Sequence, residues 1–374
     1  MRCASSSAQL VEGELAGAVG NTRASWARRA GVRATLTDDQ GLVGQGEASP
    51  LPGWSREPIG ACQRVLARAH VWLQGCDLGV PAREAVVRAL APRSADLDEV
   101  PSARFALETA LFDLIGQRTG RSIAACLGDG PVHPRIPLSG LIPVAAPDLA
   151  EAAHRLVSRG IRTVKIKVGA RGAAFDRQLA EIAGLRRDLP RGVAMRLDAN
   201  GSWTLEEARE HLRRLVPIDP EWVEEPTAGD ALLALGRSAV PWAADESLAD
   251  PARAARLLDV PRGEGCAAVV IKPALLGGLC AGWDLARRAQ ERGLQVVVTH
   301  LFDGPIALAA ACELALALPR LPAACGLDVH DGLSIWPSTA IPQLAQGSAI
   351  APSNLPGLGL PPLGVERVSR DEAQ

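Results

Sequence analysis

Only three lysines, Lys165, Lys167 and Lys272, stand among the 40 basic residues of this 374-residue chain. Arginine stays protonated in proteins, whereas lysine gives up its proton at moderate cost when burial or neighbouring cations lower its pKa. A chain that uses arginine for generic positive charge and still keeps three lysines points to acid/base chemistry at those three. Between them lie three acids, Asp198, Glu224 and Asp245. The steps from Lys167 through these acids to Lys272 are 31, 26, 21 and 27 residues, each about one strand-plus-helix unit. Three carboxylates brought together repel one another unless a cation neutralises them. An all-oxygen set lacking His or Cys suits a hard ion, Mg2+ with Mn2+ as the alternative, rather than zinc. A dication beside lysines fits abstraction of a proton α to a carboxylate. The metal would stabilise charge on the carboxylate oxygens as the enediolate forms, while a lysine depressed toward neutrality takes the proton. Lys167 is the candidate base, with Lys165 helping to depress it. Lys272 acts as a second acid/base or balances negative charge.

Such a constellation needs a scaffold that gathers residues one structural unit apart. From about Arg135 onward the chain repeats a short apolar run, a Gly or Pro turn and an Ala/Leu/Arg segment with helical spacing. Eight strands are expected, near Arg135–Ile142, Thr163–Gly169, Ala194–Asn200, Glu221–Pro226, Trp242–Ser247, Ala267–Pro273, Gln295–Phe302 and Ala323–Val329. Eight units predict an α/β protein of the (β/α)8-barrel type, with an open parallel sheet as the alternative. Residues at the C-terminal strand ends of a barrel converge on one mouth. Period-two alternation puts Lys165 and Lys167 on one face of their strand, opposite Val164, Ile166 and Val168; Arg196, Asp198 and Asn200 likewise share a face opposite Met195 and Leu197. Leu149, Ala152, Leu156 and Val157 mark one helix face, and Thr204 with Glu207 predicts a capping-box start to another.

The pattern before about Gly130 differs. An alternating stretch at Val32–Leu36, the turn-rich Asp38-Asp39-Gln40-Gly41, and helices around Pro58–Leu73 and Ser102–Arg118 describe an α+β domain over residues 1–130. The barrel is expected over 131–350, and the Pro/Gly-rich segment 351–374 is expected to run back over the surface. Gly357-Leu358-Gly359 follows no strand and opens no helix, so it reads as turn chemistry rather than a nucleotide loop.

Composition narrows the partners. A net charge of −2 argues against nucleic acid and leaves a small-molecule carboxylate as the expected ligand, with an oligomer compatible with the sequence. The richest apolar run, Ile306–Leu318, is short and broken by Glu313, so no membrane span is expected. Ser5–Ser7, Glu12 and Glu14 stand where a secretion signal would place a cationic end and an apolar run, which predicts a cytoplasmic address. Eight cysteines never come closer than 13 positions, so no CxxC metal or redox motif is present.

The strings Val164-Lys165-Ile166-Lys167, Leu197-Asp198-Ala199-Asn200-Gly201, Val223-Glu224-Glu225-Pro226, Ala244-Asp245-Glu246-Ser247 and Val270-Ile271-Lys272-Pro273 resemble, in order and spacing, the enolase superfamily and within it the muconate-lactonizing branch. Gly44–Gly53 and Ala103–Ala110 resemble front-domain segments of o-succinylbenzoate synthases. The resemblance implies an N-terminal capping domain that closes over the mouth. It also implies Mg2+ on Asp198, Glu224 and Asp245, and Lys167 as the base. Glu224 rather than Glu225 matches the ligand two residues before the proline. Implied too is a lyase that removes the α-proton of a cyclohexadiene carboxylate and expels the ring hydroxyl as water, feeding menaquinone synthesis. Arg196 resembles an active-site arginine of some synthases, the alternative being a partner for Asp198, and Asn200 joins it as a substrate-binding candidate. His300 is similar in position to the base of mandelate racemases but reads as a polar rim residue, because strand six carries Lys272 instead of an aspartate. Asp303 stands where many relatives have glutamate. Gly20–Ala30 resembles a specificity loop, with Trp26 and Trp54 as candidate substrate contacts.

Other activities fit the same frame. An N-acylamino-acid racemase or dipeptide epimerase would use Lys167 and Lys272 on opposite faces, and a muconate cycloisomerase would share the metal site. Dipeptide epimerases tend to carry two acids one residue apart after the last strand, whereas this chain has Asp328-Val329-His330. The other histidines, His70, His133, His154 and His211, form no ligand spacing with His330, and helix-surface or loop positions are expected for all five. Outside the superfamily stand a Schiff-base aldolase, also with a barrel lysine, and a barrel retained as a binding protein.

Overall fold

The computed structural model describes residues 3–20, 24–79, 81–142, 146, 148–260, 263, 265–336, 341–344 and 347–360. The front domain begins with an antiparallel three-stranded sheet, β1 (Cys3–Gly20), β2 (Ser25–Asp38) and β3 (Val43–Ala48). Gly20–Ala30 is therefore mostly hairpin rather than loop. From Ser25 onward it pairs with β1, and residues 21–23 lie outside the described residues. Arg28 and Arg29 hide this strand because they interrupt the apolar alternation that resumes at Val32, Ala34 and Leu36, all buried.

Across β3 lies the helix Pro101–Thr119, buried along nearly its whole length. A Cβ built on Gly44 or Gly46 would sit 2.1 or 1.9 Å from the carbonyl oxygens of Ala110 and Ala106, so only glycine lets the strand lie this close to the helix. The expected helix at Pro58–Leu73 divides at Arg68 into Ile59–Ala67 and Ala69–Leu73.

The barrel follows: β4 (Ile136–Pro137), β5 (Gly140–Ile142), β6 (Thr163–Lys167), β7 (Ala194–Asp198), β8 (Trp222–Glu224), β9 (Trp242–Ala244), β10 (Cys266–Ile271) and β11 (Gln295–Val298). Strands β5 to β11 pair in parallel, each beside its sequence neighbour. The expected first strand is split at Pro137, with β4 pairing instead with β12 (Ala349–Ile350). The eighth stave is not a continuous strand. Cys325 bridges Leu138 on one side and Gly326 bridges Thr299 on the other, and this pair of parallel bridges closes the ring. Helices lie outside it, including Thr204-capped Leu205–Arg214, whose capping box is complete. The architecture is a (β/α)8-type barrel with an N-terminal capping domain.

Below the mouth the lumen is filled. Trp222, Ala243, Ala268, Val270 and Val297 form their own cluster, and the Arg196 guanidinium lies 4.1 Å over the Trp222 ring. Two front-domain acids dock onto barrel helices. Glu47 accepts the N–H groups of Gly304, Ile306 and Ala307, where the helix Pro305–Leu316 starts, and Glu108 accepts that of Cys280, at the start of Leu279–Glu291. Carboxylates there satisfy amides that helix geometry leaves without partners.

The segment 351–360 returns to the front domain rather than only crossing the surface. Leu358 is buried and its N–H is accepted by Asp113, while Gly357 pairs with Arg121 and Ile123. Residues 361–374 of the expected surface segment lie outside the described residues. Among the described residues no helix is long and apolar enough to cross a membrane.

Candidate active site

In-register pairing sets Lys167 beside Asp198 and Asp198 beside Glu224 at the ends of β6, β7 and β8. Asp245 and Lys272 come immediately after β9 and β10, so all five side chains reach one mouth. Val164, Ile166 and Val168 are buried on the opposite face of β6, which leaves both lysines pointing into the barrel.

Asp198, Glu224 and Asp245 are buried, and one carboxylate oxygen from each lies within 4.8 Å of the other two. Lysine amines neutralise them. The Lys165 Nζ donates to Glu224 and stands 2.7 Å from Asp198; Lys167 donates to Asp198 at 2.6 Å and to the Asn200 Oδ1 at 3.1 Å. From the other flank Lys272 donates to Asp245 at 2.6 Å.

These contacts set the protonation pattern. Burial works against the charged form of Lys165 and Lys272, yet the facing carboxylates outweigh it and raise both pKa values. Burial alone would raise Asp198, but Lys165 and Lys167 hold it below the usual carboxylate range. Asp245 is pushed up to about 7, by burial first and by its neighbour Glu246 second.

A dication fits this donor set. The oxygens are hard and converge, and the Asp245 Oδ1 is buried without a hydrogen-bond partner among the described residues. Glu225 faces away from the triad. At φ +40° its backbone turns so that the carboxylate accepts from the Asp245 and Ser247 N–H groups, fixing the segment that carries Asp245.

A cavity of about 580 Å³ opens above the triad. Lys165, Lys167, Asn200, Lys272 and His300 line it, whereas Arg196 and Asp303 do not. Arg196 sits one layer deeper, where it donates to Glu221 at 2.7 Å and to the Ala324 carbonyl, not to Asp198. Asp303 is buried near Arg29, with burial pushing it up to about 6. Trp54 lines the cavity; Trp26 does not, and its indole N–H goes to the Pro52 carbonyl. His300 is pinned: its Nδ1 accepts the Phe302 N–H at 3.0 Å, it also bonds the Asp328 backbone, and burial followed by Lys272 takes its pKa down to about 3.

Glu246 and His330, quoted in sequence motifs but not assigned to the site, are among the residues that line the cavity. Glu246 accepts from Asn200 and Lys272, and its adjacency to Asp245 was the available signal. His330 lies in a loop, as expected, but that loop forms part of the cavity wall, where the ring stacks on His300 at 4.0 Å. His211 is not on the surface: it packs 3.6 Å from the Phe175 ring.

A capped barrel with three strand-end carboxylates and amines on both flanks defines a class of acid/base site built around a metal-competent triad. The chain belongs to the enolase C-terminal domain-like family, whose profile matches residues 148–363, more than half its length. It is 40% identical over 208 residues to an o-succinylbenzoate synthase of Thermobifida fusca (strain YX), the match covering 54% of this chain and 63% of that protein. The match thus spans less than two thirds of that relative. A dipeptide epimerase from Methylococcus capsulatus, solved with Mg and the dipeptide L-Arg-D-Lys, superposes with a TM-score of 0.82 at 25% identity, over 96% of this chain and 99% of that one. A muconate lactonizing enzyme from Pseudomonas fluorescens, solved with muconolactone, superposes at 0.81 over 96% of each chain; at 22% identity it shows the fold alone.

Proposed function

We propose that this protein is a Mg2+-dependent lyase that removes a proton α to a carboxylate and eliminates water, acting as an o-succinylbenzoate synthase that supplies menaquinone synthesis. The observation that carries the reading is the buried triad within 4.8 Å, with amines on either side. The relatives' names support the choice of substrate. Asp198, Glu224 and Asp245 would hold Mg2+, with Mn2+ as a substitute. The bound ion supplies electrophilic stabilisation of charge developing on the substrate carboxylate.

The remaining work falls to side chains. Lys167 takes the α-proton at its Nζ and returns one to the departing ring hydroxyl. Asn200, which accepts from Lys167 and donates to Glu246, orients that amine. Lys165, between Asp198 and Glu224, adds fixed positive charge. Lys272 faces the opposite side of the substrate and balances negative charge. His300 serves as a neutral wall group. Arg196 and Asp303, which do not line the cavity, shape the barrel interior and the domain boundary rather than touch substrate.

The Lys272 amine on the opposite flank favours a second reading, 1,1-proton transfer on an N-acyl amino acid. Purified protein with Mg2+ should dehydrate the cyclohexadiene precursor. Exchange of the α-hydrogen of N-acyl amino acids in deuterated water, with no dehydration of the precursor, would overturn the lyase reading in favour of a racemase. The substrate is a small carboxylate, consistent with the −2 net charge, and we place the enzyme in the cytoplasm, where its eight free cysteines stay reduced.

A further inference from the structure

The cavity wall holds one polar side chain that the proposed chemistry leaves unused. Both ring nitrogens of His330 are buried, and neither has a hydrogen-bond partner among the described residues. Buried polar groups are nearly always partnered, so a pair of orphaned nitrogens in the wall of a large cavity calls for a ligand atom. The ring is not free to turn away. It stacks on His300 at 4.0 Å and 29°, and meets the edge of Phe302 at 5.7 Å. His300 is in turn held by the Phe302 N–H and the Asp328 backbone. Phe302, at φ +55°, has its carbonyl held by the Arg29 Nε at 3.2 Å, so the front domain braces this whole wall.

The chemistry of the ring selects its ligand. Burial, then His300 and Arg29, keep His330 neutral, which leaves it one N–H donor and one lone pair. Arg29 lies close enough to affect His330, and Lys272 close enough to affect its stacking partner His300; both are cationic. Of the acids that line the cavity beside it, Asp328 is paired with Arg159 at 2.7 Å and Asp331 is exposed, so the buried unpaired donor of the ring is matched by an oxygen acceptor rather than an ammonium group.

We propose that His330 is a specificity-determining residue whose ring N–H binds a carboxylate or amide oxygen on the non-reacting arm of the substrate. The assignment rests on the lyase reading of the same site. His330 and the amines of Lys167 and Lys272 line one cavity, so a substrate whose acidic carbon meets the lysines can extend its arm toward the His300–His330 stack.

Phenylalanine keeps the ring and the stack but lacks the nitrogens. His330→Phe should therefore raise KM for the succinyl-armed cyclohexadiene precursor at least tenfold, hold kcat within threefold, and leave Mg2+ binding and the melting temperature unchanged. His330→Gln, which restores a donor, should recover part of the loss. N-succinyl and N-acetyl amino acids as competitive inhibitors separate the two oxygen sources: a carboxylate contact penalises only the succinyl compound in His330→Phe, an amide contact penalises both. A KM within twofold of wild type, with wild type active, overturns this inference alone. Wild type inert toward the precursor overturns the lyase reading and the inference with it. Should His330→Phe fail to fold, the 15N shifts of the wild-type His330 ring decide: movement on adding o-succinylbenzoate supports the contact, and unmoved signals overturn it.

Discussion

Two groups of buried carboxylates in this molecule are held by different partners. At the mouth, Asp198, Glu224 and Asp245 face ammonium groups on long, rotatable stems. At the boundary between front domain and barrel, Glu47 and Glu108 accept backbone amides at helix starts, with Ser49 and Arg104 as their side-chain partners, and Asp113, within the front domain, accepts those of Gln45 and Leu358. A backbone amide cannot leave, so those acids are fastened into the architecture. An ammonium group can swing away or yield to a dication, so the mouth acids are available for chemistry. Burial alone does not mark a functional acid; convergence with other acids beside amines at one mouth does.

The largest effect that would test this contrast is at Lys167. Lys167→Ala should lower turnover by about a thousandfold or more, in line with loss of a general base, with the melting temperature and Mg2+ affinity little changed. Lys167→Arg should fail equally, because guanidinium cannot serve as a base; appreciable turnover in it would contradict the assignment. Next, Asp198→Asn should weaken Mg2+ binding, measured by calorimetry, by more than the about 10- to 100-fold that outer partners of metal sites contribute, and EDTA should abolish activity until Mg2+ or Mn2+ is restored. Wild-type affinity in Asp198→Asn would sink the triad as a metal site.

The boundary acids should behave oppositely. Glu47→Ala leaves buried amides of Gly304, Ile306 and Ala307 without partners and should cost about 1–3 kcal/mol of stability in denaturant unfolding, while Mg2+ affinity stays at the wild-type level. The same acid also makes stability depend on pH. Burial pushes Glu47 up to about 7 from an ordinary 4.5. Between those values the folded protein holds a proton that the unfolded chain has released. The Glu47 contribution therefore falls as pH rises from 4.5 to 7, by at most about 1.4 kcal/mol per pH unit. Glu47→Gln should flatten that part of the stability profile; an unchanged slope would show that Glu47 ionises normally.

The mouth was legible in the sequence because a barrel strand obeys period two and each βα unit delivers one strand end. Lys167, Asp198 and Glu224 announce themselves by that arithmetic. Arg196 obeyed the same alternation yet sits one layer too deep, because alternation gives the face and not the depth. The β1–β2 hairpin was hidden by Arg28 and Arg29, and the partners of Glu47 lie more than 250 residues away, beyond any local pattern. His330 was visible as the residue in place of a second acid after the last strand, but its two unpartnered ring nitrogens are revealed only by packing.

The Arg196–Trp222 stack makes the barrel a blind-ended vessel. A molecule entering from the capped side meets this packed floor, so under the proposed chemistry reactant and products would share one doorway. Front-domain residues Leu51 and Trp54 line the cavity from above, so trimming Trp54 would widen its entrance, whereas Trp222→Ala would loosen the floor beneath it.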